Sequence, residues 1–133
     1  MVLYASAAIG CQDPTYASPL VDQLKPWADQ WVTTGPTAEG PVNHYLGGLA
    51  AVLGRYDEAH AYFTEAAGSC SRVGAKFFAA RTNLWWGTML AERNAPGDTE
   101  KARDLLTKAH ALAADHGYAN VERRATEALQ RLG

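Results

Sequence analysis

Cysteine is nearly absent from this 133-residue chain: Cys11 and Cys70 allow at most one disulfide. Small secreted domains stapled by disulfides normally carry several, so that class is excluded and a reducing, cytoplasmic setting is expected. Long apolar runs are also missing. The opening segment, residues 1–10, is uncharged and mildly apolar but lacks the basic start and long apolar core of a signal peptide. It is about half the ~20 residues that a membrane span requires, so it reads as part of a core helix and no membrane partner is expected. Charge of one sign is lacking too: 12 Lys and Arg stand against 14 Asp and Glu, for a net charge of −2. The signs are scattered, with no basic stripe to neutralise a row of phosphates, so nucleic acid is not an expected partner. Arg123, Arg124 and Arg131 read as a solvated helix face.

The residue groupings that carry catalysis are equally scarce. Gly47-Gly48 falls inside a helical segment and lacks the Gly/Lys/Ser pattern of a phosphate loop. His44, His60, His110 and His116 have no metal-ligand spacing with Cys or carboxylates, and His110 and His116, six apart, fall on different helix faces. Asp57-Glu58 sits at a helix start, where the macrodipole accounts for it. Ser69, Cys70 and Ser71 have no neighbouring His to act as a base. Neither an enzyme nor a cofactor is expected.

What is present is helix. Hydrophobic residues make up 47% of the chain, with Ala and Leu far ahead of Val and Ile; that bias favours helices, in which β-branched side chains lose rotamer freedom. Asp13-Pro14 reads as an N-cap with Pro at the first helical position. Gly40-Pro41 repeats the pattern more weakly, and Asp98-Thr99-Glu100 marks a third start with acidic charge in its first turn. Gly10, Gly54, Gly74 and Gly117 each follow an apolar-periodic segment, where a left-handed residue ends a helix with least strain. Between these marks apolar residues recur every three or four positions: Ala59, Tyr62, Phe63, Ala66, Cys70, Val73; Phe78, Thr82, Trp85, Met89; Ala102, Leu105, Leu106, Ala109, Leu112; Val121, Ala125, Ala128, Leu129, Leu132. Tyr16, Leu20, Leu24, Trp27 and Trp31 do the same across two prolines. Pro19 suggests a later start capped by Ser18, and Pro26 a kink or break. No segment alternates with period two, and the polar, Gly/Pro-rich stretch 33–40 reads as an irregular spacer. The size allows one domain. The expected fold is therefore all-α: seven helices in antiparallel pairs, as hairpins at about 1–32, 41–73 and 75–116 with a closing helix at about 118–132.

Two segments are related by a constant offset. Ala59, Ala66 and Gly74 recur 43 residues on as Ala102, Ala109 and Gly117, Phe63 is matched by Leu106, and Arg81 by Arg124. Periods of this size signal stacked helical hairpins. The first copy, with Leu46-Gly47, Leu53-Gly54-Arg55-Tyr56-Asp57-Glu58-Ala59, Phe63 and Ala66, resembles the tetratricopeptide repeat (TPR). In that reading Gly47 lets the paired helix approach, Tyr56 packs in the turn, Ala59 and Ala66 are small where helices cross, and Phe63 fills the space beside them. The second copy keeps Trp86-Gly87, Ala102, Leu106 and Ala109, with the stretch from Gly87 to Ala102 three residues longer than that from Gly47 to Ala59. The loop 94–98 absorbs the difference. Ser71 stands where a proline often ends such a repeat, and the second helix runs on.

Over most of its length the chain also resembles the carboxy-terminal helical-repeat region of large bacterial, especially actinobacterial, signalling regulators. The string carrying this likeness is 20–29, then Gly40-Pro41-Val42-Asn43-His44-Tyr45-Leu46-Gly47, Gly74-Ala75 and Pro96-Gly97-Asp98. In such regulators an NTPase module is combined with a nucleotide-cyclase-like or DNA-binding domain; none of those motifs occurs here. The resemblance implies a TPR-like α-α superhelix whose first helices line a concave face that binds extended or helical segments. The positions that fall there are Asn43, His44, Gly48 and Val52 in one repeat, and Arg81, Leu84, Trp85, Thr88 and Glu92 in the next. Arg, Trp and His are the types that anchor interfaces. Trp86, in place of the usual Leu beside the helix-crossing Gly, reads as core; Trp85 reads as either core or anchor, and Arg81 as either anchor or structural charge.

The expected function is a protein-interaction or intramolecular scaffold module whose partner is a protein or peptide segment. The alternative is a small-ligand or peptide sensor that closes its aromatic groove over a ligand and relays this to a fused effector. Only nine residues precede Gly10 where a repeat's first helix needs about a dozen, which suggests a start inside a helix. Self-association through apolar Val2, Leu3 and Tyr4 is a further expectation.

Overall fold

The computed structural model describes residues 2–34 and 37–132, and the side chains of all of these except 2–4, 33, 34 and 37–39. The chain is all-α, with seven helices and one short two-stranded hairpin among the described residues. Backbone contacts cluster into two compact units, 1–69 and 70–133. The side chains of Val2, Leu3 and Tyr4, the expected self-association surface, lie outside the described part. No helix among the described residues is long and apolar enough to cross a membrane.

The first unit contains α1 (Val2–Gly10), α2 (Pro14–Leu24), a 3-10 turn (Lys25–Trp27), α3 (Val42–Val52) and most of α4 (Tyr56–Val73). Helix α2 begins where Asp13-Pro14 predicts: the Asp13 carboxylate accepts the Thr15 amide at 3.0 Å, satisfying one of the open donors of the first turn. Pro19 does not restart the helix but lies inside it. At the sixth of eleven positions its missing N–H forfeits a helical bond, and burial of Ala17, Leu20, Val21 and Leu24 outweighs that loss. Pro26 does end the α-helix, at Leu24.

Three local expectations are corrected. Trp31 does not continue the helical stripe of α2; it opens a strand. The stretch expected to be irregular is an antiparallel pair, β1 (Trp31–Thr34) with β2 (Thr37–Pro41), its register shifted between Val32 and Thr33. Trp31 is fastened from its indole Nε1, which donates to Ser69 Oγ at 2.7 Å. At the end of α1 the left-handed residue is Gln12 (φ 53°) rather than Gly10, and the Gln12 side-chain amide donates to the Ile9 carbonyl at 3.0 Å. Gly54, Gly74 and Gly117, in contrast, take φ of 74°, 70° and 75°, as helix-ending glycines should.

In the hairpin of α3 and α4 the paired helices meet at glycine. A Cβ built on Gly47 would lie 2.7–2.9 Å from three atoms of the Phe63 ring, and Phe63 is fully buried. The ring therefore occupies the volume that any larger residue at position 47 would need.

The second unit holds α5 (Lys76–Arg93), α6 (Asp98–His116) and α7 (Ala119–Leu132). The α5–α6 hairpin repeats the same device. A Cβ on Gly87 would lie 2.7 Å from Leu106 Cγ and 3.2 Å from the Ala102 carbonyl oxygen. Its core gathers Ala80, Leu84, Leu106, Ala109, Ala113, Val121 and Ala125, with Trp85, Leu129 and Leu132 packed against it. Small residues dominate where the helices cross, which lets their backbones approach. The longer loop of this hairpin is closed by charge. Asp98, 6% exposed, accepts from Arg93 Nε at 2.7 Å and Nη2 at 2.8 Å, and from the Ala95 amide at 2.9 Å.

Candidate partner-binding cleft

Phe77, Arg81, Leu84, Trp85 and Thr88 step along α5 by three and four, which places them on one face. Helix α7 presents Val121 and Arg124 to that face, and the first turn of α7 with Tyr118 before it completes the rim. All of these but Thr88 line a cleft of about 470 Å³. Its floor is Leu84, 2% exposed, and Val121, 4% exposed. Its mouth is open, because Phe77, Ala119, Asn120 and Arg124 are all exposed. No protein family model, characterised protein or solved structure matches the chain. The cleft's chemistry must therefore be read from its own residues.

Arg81 is set among rings. Its guanidinium carbon lies 5.3 Å from the ring centre of Phe78 and 5.8 Å from those of Phe77 and Trp85, distances at which the ring quadrupoles attract the cation. Phe77 meets Phe78 edge-on at 5.4 Å and Tyr118 edge-on at 5.1 Å, and Tyr118 is stacked on His116 at 5.6 Å. These contacts hold the aromatic wall in a limited set of orientations. On α7 the carboxylates turn elsewhere: Glu127 accepts from Arg123 at 3.0 Å, and Glu122 lies 3.9 Å from His110. Arg124 makes no ion pair among the described residues.

Of the nine positions expected on a binding face, three line this cleft: Arg81, Leu84 and Trp85. Arg81 and Trp85 are half-buried and reachable. Leu84 is not an anchor but a core residue, spent on packing α5 against α6 and α7. Thr88, also half-buried, donates its hydroxyl to the Leu84 carbonyl at 2.8 Å, so it serves its own helix first. Glu92 is exposed, although the surrounding protein partly desolvates its carboxyl and raises its pKa above the ordinary value. In the first unit, Asn43 and Val52 are half-buried. His44 and Gly48 are corrected to core: His44 is 0% exposed, edge-on to Tyr45 at 5.1 Å and near Phe63 at 6.4 Å, and has no surface to offer a partner. Trp86 is core as expected, 7% exposed, with Lys101 Nζ 5.2 Å from its ring centre.

Six of the nine lining residues were not singled out for binding from sequence, among them the two rings Phe77 and Tyr118 and the cation Arg124. One signal for Arg124 was available, its place 43 residues after Arg81. Phe77 and Tyr118 each stand beside a helix end, where periodicity says least about direction.

A second cleft of about 520 Å³ lies between α1 and α2, lined by Ala7, Ala8, Cys11, Asp13, Tyr16, Pro19, Leu20 and Gln23. Its one carboxylate, Asp13, is engaged as the cap of α2. Among the described residues no three of His, Cys, Asp and Glu gather where they could hold a metal ion.

The two thiols are in opposite settings. Cys11 is exposed and Cys70 buried. Burial raises the Cys70 thiol above its ordinary value, opposed in part by a hydrogen bond with Thr82 and by the charge of Arg81. At pH 8 a disulfide reagent such as dithionitrobenzoate is expected to modify Cys11 rapidly and Cys70 only after denaturant is added. Two fast equivalents in the native protein would contradict the burial of Cys70.

Proposed function

We propose that this chain is a non-catalytic helical-repeat module that binds a protein or peptide segment, which includes docking against another part of a larger bacterial, cytoplasmic signalling regulator. The observation that carries this reading is the open cleft between α5 and α7. It brings Arg81 and Trp85 to one accessible surface with a further arginine and two more aromatic rings. Arg, Trp and Tyr are the side chains that dominate binding energy at protein interfaces. The recurrence of one packing device, a glycine under a bulky side chain at Gly47–Phe63 and at Gly87–Leu106, supports the TPR-like part of the reading. The open mouth favours a segment over a small molecule, which would need walls on most sides to lose most of its surface.

The test is selection of a charge-neutral random peptide library on the immobilised protein. Enriched peptides are expected to shift the amide resonances of Phe77, Trp85 and Tyr118. Trp85→Ala should weaken them about tenfold or more, with helicity by circular dichroism retained. A library that yields no peptide, beside a metabolite that raises the melting temperature, would overturn the interaction reading in favour of a ligand sensor.

A further inference from the structure

We propose that the α5–α7 cleft selects an acidic peptide segment, with Arg81 and Arg124 each pairing with a carboxylate side chain and Phe77 with Tyr118 covering an apolar side chain beside them. This rests on the interaction reading above and adds the chemistry of the partner. The first observation is the sign of the charge. The cleft holds two guanidinium groups, and no Asp or Glu stands among its lining residues, in a protein whose net charge is −2. A local excess of positive charge in a slightly acidic molecule repels basic and favours acidic partners.

The second observation is how Arg81 is held. A guanidinium is planar: it stacks through its faces and hydrogen-bonds through its edge. With the rings of Phe77, Phe78 and Trp85 all within 5.3–5.8 Å of its central carbon, its orientation is largely set before a ligand arrives. A carboxylate bound to such a group incurs less ordering cost than one bound to a freely rotating Lys or Arg. The third observation comes from the repeat itself. Arg81 and Arg124 are equivalent positions 43 residues apart, one on α5 and one on α7, so the two cations face the same cleft because the hairpin pattern places them there. Arg124 makes no ion pair among the described residues, whereas neighbouring Arg123 is paired with Glu127.

The experiment uses the whole chain and the same charge-neutral random peptide library. Enriched peptides are expected to carry at least two Asp or Glu around an apolar residue. Exchanging those acids for Asn or Gln should weaken binding about tenfold, and raising salt from 50 to 200 mM should weaken it further. Arg124→Gln, at an exposed position, should cost about threefold to tenfold with helicity unchanged. Arg124→Glu should bind a peptide with one acid changed to Lys better than the original. Arg81→Gln removes ring contacts as well as charge, so Arg124 carries the decision.

Peptides that bind the cleft but are neutral or basic, or that tolerate the Asn and Gln exchange, overturn the acidic assignment and leave the interaction reading standing. A single-stranded oligonucleotide or free glutamate that displaces the labelled peptide at equal concentration would likewise overturn it, in favour of phosphate or small-carboxylate binding. Failure to select any peptide counts against the interaction reading itself.

Discussion

Phe63→Ala is expected to destabilise the protein by about 3–5 kcal/mol, and Gly47→Ala by about 1–3 kcal/mol. Both numbers come from one contact. Phe63 is fully buried, so its removal loses the transfer free energy of a whole ring and leaves a cavity that α3 and α4 close only in part. Gly47 is tight from the other side: a single methyl there would stand 2.7 Å from a ring carbon, well inside van der Waals contact, and the ring is surrounded and cannot swing clear. The two substitutions should therefore not add. In Gly47→Ala/Phe63→Leu the smaller side chain leaves room for the new methyl, and the double variant should be about 1 kcal/mol more stable than the sum of the single changes predicts. Urea denaturation followed by circular dichroism measures all of these. Additivity within a few tenths of a kcal/mol would mean that the helices separate at little cost, and that Gly47 is not a packing requirement. Gly87→Ala should behave in the same sense with less relief available, because one of the close atoms is the Ala102 carbonyl oxygen, which cannot change rotamer.

Asp98→Ala should cost about 2–4 kcal/mol, the other large effect expected. Asp98 accepts two guanidinium hydrogen bonds and one amide hydrogen bond while only 6% exposed. Its loss leaves the Ala95 amide without that acceptor and takes two hydrogen bonds from the Arg93 guanidinium at a partly buried place. Breaking one side of a buried ion pair typically costs ~3–5 kcal/mol; the Arg93 side chain retains 23% exposure, and water reaching it reduces the penalty. Asp98→Asn keeps an acceptor for the amide and should cost about half as much. Arg93→Lys should resemble Arg93→Ala more than wild type, because an ammonium cannot form the bidentate pair. Thermal unfolding of the four variants orders them. If Asp98→Ala unfolds within a degree of wild type, the loop between α5 and α6 is not closed by this pair.

The helices were legible because their signals are local. Asp13-Pro14 caps and starts α2 within three residues, and Gly54, Gly74 and Gly117 mark ends by the one backbone conformation that other residues avoid. The hairpin at Trp31–Pro41 was not legible, since strand pairing is decided by a partner segment and four or five residues are too few to display alternation. Pro19 misled for a related reason. A proline inside a helix costs a hydrogen bond, and whether that loss is outweighed depends on what the rest of the helix buries.

The candidate site divides along the same line. The resemblance to stacked hairpins placed Arg81, Leu84, Trp85, Thr88 and Glu92 on one face of α5, but it could not tell a floor from a rim. Leu84 went to the core, Arg81 and Trp85 stayed within reach, and His44 and Gly48 of the first unit became fully enclosed. Residue type pointed the wrong way for His44, because a polar ring reads as accessible until its surroundings are known.

By itself, then, the chain's order of residues determined that it is helical, where most helices begin and end, and that one glycine-and-bulky-residue device is used twice, 43 residues apart at Phe63 and Leu106. These properties depend on contacts within a few turns or on a repeated pattern. Only the tertiary structure decided that Arg93 and Asp98 close a loop, that Trp31 is fastened to Ser69, and that Arg124 joins Arg81 beside the Phe77 and Tyr118 rings. Each of those depends on which face of one element meets another, and side chains far apart in the chain acquire a common environment only when burial of the apolar faces brings their helices together.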